Sequence, residues 1–228
     1  EITPKIIGVK TINIFGEKIE FLQRSQNFGE LAFSPRHIKN LPNIGESDIF
    51  RSLQLLPGIQ MGNTGFAGLY VRGGTPDQNH IILDGMTIYQ IDHFFGFFSS
   101  INSNIVKDIQ IYRSGFPAKY GGGISSIIDI TGKSGSSKKK KLDLFTNMLS
   151  AGFTYQQPLF KKGSFILAAR RSFTDKYQTK LYDSISDFLT SGSGLNIGDL
   201  PSDTISYNSE YLPNFYFYDI NGKFTYLP

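Results

Sequence analysis

The stretch VRGGTPDQNHIILDG, residues 71–85, decides how this chain is read. Glycines, a proline, a histidine and two aspartates lie between apolar runs, a density that marks either a site or a turn. A phosphate cradle needs a glycine-rich loop that opens a helix, whose N-terminal N–H groups and dipole hold the anion. Gly74 instead leads into a turn and a β-like run, and the Walker spacing with its lysine is absent. Asp77, His80, Asp84, Asp92 and His93 are of ligand type but conform to no metal-binding spacing, so no metal site is expected. The structural reading uses every residue type. It makes the stretch a tight link joining LYVRG and HIILDG as adjacent strands, with Pro76 and Asp77 in a turn and Gly73 and Gly74 supplying positive φ.

Working upstream, SPRHIKNLP and GESDIFRSLQLLPGI have helical character, with Ser34 and Ser47 as caps and Pro42 and the Pro57-Gly58 pair as stops. Ile49, Leu53 and Leu56 then share a face. Downstream of Gly58 the period changes to short β-like runs: GLYVRG, NHIILDGMTI, VKDIQIYRSG and SSIIDITG. Helices succeeded by such strands predict a compact α+β domain.

Composition agrees. Aromatics make up 14% of the 228 residues and charged residues only 18%, against roughly 25% in ordinary soluble domains, which favours β-structure. No apolar run is long enough for a membrane helix, so entry into a bilayer would require a barrel. Cysteine is absent, which excludes disulfides and thiolate metal sites. Three histidines and no G-x-S-x-G elbow offer no catalytic triad, and neither an enzyme nor a cofactor is expected. The net charge of +4 owes much to Lys138–Lys141, which reads as part of a solvated linker and not as a nucleic-acid patch.

Beyond TGKSGSSKKKK the rhythm is different. NFYFYDINGKFTYLP sets Tyr216, Tyr218, Ile220, Phe224 and Tyr226 against Asp219, Asn221, Lys223 and Thr225. SAGFTYQQPL sets Leu149, Ala151, Phe153 and Tyr155 against Ser150, Thr154 and Gln156. SFILAARRSF sets Phe165, Leu167 and Ala169 against Arg170 and Ser172. Segments of about ten residues with period two and terminal aromatics suit transmembrane barrel strands, and the same alternation suits an amphipathic soluble sandwich. Connection lengths choose between them. The QPLFKKGS link is short, whereas residues 174–213 form a long stretch with little periodicity, matching short periplasmic turns and long outer loops.

In order and spacing, DIFRSLQLLPGIQ, LYVRGGTPDQNHIILDGMTIY and IVKDIQIYRSGFPAKYGGGISSIIDITGKSG resemble the plug domain of TonB-dependent outer-membrane receptors. The wording DGMTIYQIDHFFGFFSSIN with SGFPAKYGG resembles the subgroup that often carries an N-terminal carboxypeptidase-regulatory-like domain. The resemblance implies an N-terminal segment over residues 1–24 with a weakly fitting TonB box at 10–18, a plug over 25–133 and a linker over 134–141. About four barrel strands then occupy 142–228, the beginning of an incomplete wall from a 22-stranded barrel. It implies a ligand-gated importer of a scarce or large nutrient in a Gram-negative outer membrane, or alternatively a structural subunit that keeps the fold without energised transport. Expected partners are the TonB C-terminal domain, the imported ligand, outer-membrane lipid, and a surface lipoprotein lid or other outer-membrane subunits; nucleic acid is not among them. Asn63, Phe66, Tyr89, Asp92, His93 and Phe94 would meet ligand at the plug apex, while Phe95, Phe97 and Phe98 would pack. Gly58, Arg72, Gly73, Asp84, Gly85, Pro117, Tyr120 and Gly121 would carry the plug's structural motif.

Overall fold

The computed structural model describes residues 22–24, 30–33, 41, 46–60, 68–94, 96–160, 162–190 and 215–226. A six-stranded mixed sheet forms the first layer. Its strands are β1 (Leu22–Arg24), β2 (Glu30–Phe33), β5 (Asn79–Leu83), β6 (Met86–Thr87), β9 (Val106–Tyr112) and β10 (Ser126–Gly132), in the order β1-β2-β9-β10-β5-β6. Every neighbouring pair is antiparallel except β10 with β5. Two small hairpins accompany it, β3 (Ile59–Gln60) with β4 (Tyr70–Val71) and β7 (Asp92–His93) with β8 (Phe98–Ser99).

Alternation builds the core. Ile109 and Ile111 on β9 lie beside Ile128 and Ile130 on β10, all fully buried, and each contributes about 2 kcal/mol through removal from water. Over them packs α1 (Ile49–Leu53), whose Ile49 and Leu53, with Leu56 beyond it, share the expected face. The helix is capped by Asp48, not by Ser47: the Asp48 carboxylate accepts the Arg51 N–H at 2.9 Å. A carboxylate there satisfies an orphan donor and complements the helix dipole.

The second layer is a four-stranded antiparallel wall, β11 (Lys141–Thr146), β12 (Ser150–Leu159), β13 (Gly163–Ser172) and β14 (Tyr218–Tyr226), paired in chain order. Tyr218, Ile220, Phe224 and Tyr226 point outward and are exposed, as the alternation predicted. Inward on β13 lie the buried Ile166, Ala168, Arg170 and Ser172. Among the described residues no helix is long and apolar enough to cross a membrane.

Three expectations are corrected. The stretch 71–85 does not join adjacent strands: β4 pairs with β3, whereas β5 pairs with β10 and β6, so residues 72–78 cross from one sheet to another. Its turn takes positive φ at Arg72 and Gly73, and a 3-10 turn comes next over Pro76–Gln78. Gly74 needs no positive φ. It is glycine because an added Cβ would lie 2.2 Å from Ser125 Oγ, the hydroxyl that donates to the Val71 carbonyl. Second, Leu149 precedes β12 and is wholly buried, off the outward face assigned to it. Third, the long connection after β13 contains α2 (Lys180–Thr190), whose Tyr182 and Ile185 are buried. Apolar residues at helical spacing within LYDSISDFL carry that signal. Ser34, Pro42 and residues 10–18 lie outside the described residues.

Candidate functional site

At the β7–β8 hairpin the first layer meets the wall through a charged cluster and an adjoining aromatic one. Arg170, 4% exposed, sits inward on β13 directly opposite Asp219 on β14 and donates to its carboxylate through Nε at 2.9 Å and through Nη2. Its Nη1 donates to Glu46, just ahead of α1, and Nη2 also reaches the Ser99 carbonyl of β8 at 2.7 Å. Its guanidinium lies 4.9 Å from the Phe217 ring. The second Glu46 oxygen accepts from Ser150 Oγ at 2.9 Å. His93 Nε2 contacts the other Asp219 oxygen at 3.0 Å, and its ring stacks on Phe217 at 4.6 Å.

One arginine thus serves two carboxylates, Glu46 and Asp219, and His93 contacts the second of them. Burial pushes the Glu46 carboxyl up from its ordinary value, and the opposing pull of Arg170 and Ser150 does not cancel it. Burial raises Asp48 too, against its hydrogen bond from Arg51. Asp92 is raised by burial, with His93 opposing.

Above this cluster lies an aromatic one. Phe94 is held at φ 49°, stacked on Phe215 at 4.5 Å and on Tyr182 of α2 at 5.6 Å. Phe97, Phe98, Leu149, Ile185 and Phe217 complete it. At the far end of the wall, Asp84 accepts from the Gly132 N–H at 3.0 Å and from Lys223 Nζ at 2.7 Å. It opens the two-residue Asp84-Gly85 turn between β5 and β6, both residues at positive φ, the conformation that Asp-Gly favours. A cleft of about 240 Å³ separates the layers there, between Asp84, Lys133 and Lys223. On the other sheet face Tyr120 donates to Asp129 and packs on Tyr112, which holds the segment carrying Pro117 and Gly121 against the sheet. Burial and the Asp129 contact push the Tyr120 hydroxyl up to about 12.

Of the residues expected at the apex, His93 and Phe94 come together and face the wall and α2. Asp92 is half-buried beside Gln90, whose side chain donates to it at 3.3 Å, and Tyr89 stands 93% exposed. Asn63, Phe66 and Phe95 lie outside the described residues. Phe97 and Phe98 pack as expected. Sequence reasoning placed Arg170 and Asp219 on inward strand faces without pairing them, and it missed Glu46, Ser99 and Tyr182. Opposite charges on the polar faces of two strands were the available signal. Among the described residues no group of acidic, histidine or cysteine side chains could hold a metal ion.

This is a small mixed-sheet domain seated by ion pairs against the inner face of an antiparallel wall: the architecture of a plugged barrel. A family model, the TonB-dependent Receptor Plug Domain, matches residues 37–126. Two solved structures of mutants of the ferric enterobactin receptor PfeA from Pseudomonas aeruginosa resemble the chain. One has a TM-score of 0.51 and the other 0.50; both show 17% identity and cover 64% of this chain and 25% of theirs. The siderophore receptor PirA from Pseudomonas aeruginosa shows 20% identity over 65% of this chain and 29% of its own, with a TM-score of 0.49. No curated protein matches the sequence. Residues 37–126 thus match a TonB-dependent receptor plug domain, continued by an antiparallel wall that does not close, and the chain spans about a quarter of the length of the PfeA structures.

Proposed function

We propose that the chain is the gating portion of a ligand-gated, TonB-dependent importer of a scarce or large nutrient in the outer membrane of a Gram-negative bacterium. The observation that carries this reading is the Arg170 cluster. It joins the β7–β8 apex hairpin, the start of α1 and the wall through charged hydrogen bonds, beside the apolar cluster of Phe97, Phe98, Leu149 and Phe217. A buried ion pair contributes little net stability compared with apolar packing yet fixes one geometry, which suits a plug that must occlude a lumen and later yield. Ligand would arrive on the side of Tyr89 and α2, and residues 10–18 would pair as an added strand with the TonB C-terminal domain. The PfeA relatives are named as ferric enterobactin receptors, which makes ferric siderophores the first ligands to try.

The test uses the full-length receptor in a strain stripped of competing importers. It is given radiolabelled ferric enterobactin, other ferric siderophores, cobalamin and maltodextrins. Uptake of at least one, lost on deletion of residues 10–18 and on removal of TonB, is the expected result. Uptake or growth that ignores both changes would overturn energised import and favour a structural subunit built on the same fold.

A further inference from the structure

The wall's short-turn end shows a graded surface that the plug junction does not explain. On the outward face Leu144 and Leu142 are exposed on β11, and Phe224 and Tyr226 on β14. One step beyond the last strand residues, Phe160 occupies the turn between β12 and β13 at φ 54° and is 86% exposed. A bulky aromatic held in the left-handed region and presented to water is unfavourable on both counts. Next to it come Lys162 in the same turn and Lys138, Lys139 and Lys140 leading into β11, all exposed. Lys138, Lys139 and Lys140 lead into β11 at Lys141, which pairs with Gln156, and further along β12 Leu159 pairs with Gly163, which pairs with Tyr226. Lys141 itself shares a strand face with Asp143 and is set aside. No acidic residue occurs within residues 136–142 or 156–166 to neutralise the other lysines.

The order along the strand axis, aliphatic, aromatic, then cationic, matches that of a bilayer leaflet from acyl chains through the interface to phosphate. On the membrane-wall reading proposed above, short turns face the periplasm. We propose that Lys138, Lys139, Lys140 and Lys162, with Phe160 inserted at the interfacial level, form a binding rim for anionic phospholipid headgroups of the inner leaflet of the outer membrane. Each lysine near an anionic surface strengthens association about fivefold, an effect that salt weakens. The rim would fix the depth of the first strands and anchor the segment that leads from plug to wall, whose Ser134 carbonyl accepts from Ser164.

The test reconstitutes the full-length receptor in nanodiscs of phosphatidylethanolamine with one fifth phosphatidylglycerol and measures, by native mass spectrometry, which lipids stay bound. Heat-modifiable migration on gels reports the folded barrel independently. Wild type should retain phosphatidylglycerol several-fold above its bulk share. The variant K138Q/K139Q/K140Q/K162Q should lose that excess while remaining folded, and Phe160→Ser should weaken it. Equal retention by the folded quadruple variant would overturn the rim. So would retention of lipid A instead of phosphatidylglycerol when both are supplied, which would mean that the lysines face the outer leaflet. Failure of the folded receptor to enter the nanodisc would overturn the membrane-wall reading, and the rim with it.

Discussion

Arg170 on β13 donates to Glu46, 124 residues earlier in the chain, so one guanidinium closes the junction between wall and plug. Arg170→Met would strand Glu46 and Asp219 in a buried setting. Removing one partner of such a pair costs about 3–5 kcal/mol. Urea unfolding of the plug, monitored by protease accessibility, should show that loss. The double variant R170M/E46Q should be less destabilised than the sum of its single changes, because the second removes a charge that the first leaves unpaired.

The Glu46 carboxyl lies above its ordinary 4.5 in the folded chain, raised chiefly by burial. A raised folded pKa means that the folded state holds the proton more tightly than the unfolded state. This contribution is full below 4.5 and is lost as pH rises through the higher folded value. Plug stability measured from pH 7.5 down to 4.5 should therefore contain a rising component that Glu46→Gln removes. An identical pH profile in that variant would contradict the assignment.

Phe94 combines strain with burial. Phe94→Gly relieves roughly 1–2 kcal/mol of left-handed strain but forfeits the stacking on Phe215 and Tyr182, where Phe truncation costs about 3–5 kcal/mol. The net effect should be undocking of α2, read as faster hydrogen exchange at Lys180–Thr190 with the six-stranded sheet unchanged.

Asp84 has two duties, a left-handed turn and acceptance from Gly132 and Lys223. Asp84→Ala fails in both and should cost about 1–3 kcal/mol, an unmet buried donor being the larger part. Asp84→Asn keeps the turn and one acceptor, so its thermal midpoint should fall between those of wild type and the alanine variant.

The layers were legible in the sequence because period two and the Asp-Gly turn are local signals. Tyr218, Ile220, Phe224 and Tyr226 could be assigned outward from spacing alone. The crossover at residues 72–78 was not legible: whether β4 pairs with β5 or with β3 is decided by distant partners, and β5 is claimed by β10, 47 residues away at the Ser126–Asn79 pairing. The Asp48 cap was missed because Ser47, its neighbour, is an equally good cap by type, and only the backbone turn chooses between them. At the apex, His93 and Phe94 were reached through the family resemblance, but their partners Asp219, Tyr182 and Phe215 are brought in by β14 and α2 after a long connection whose path local pattern does not fix. The Arg170–Asp219 pairing depends on that same path.

The central claim is that the apex hairpin is seated against the inner face of β13 and β14. These 228 residues contain no cysteine, and any cysteine elsewhere in the receptor is first replaced by serine, so an introduced pair reports without background. His93→Cys with Asp219→Cys, in the full-length receptor within isolated outer membranes, should be joined efficiently by a short bis-maleimide. His93→Cys with Tyr226→Cys, at the opposite end and on the outward face of β14, should not be joined. Linkage of the second pair at the rate of the first, or of neither although both thiols react with a monofunctional maleimide, would contradict the account.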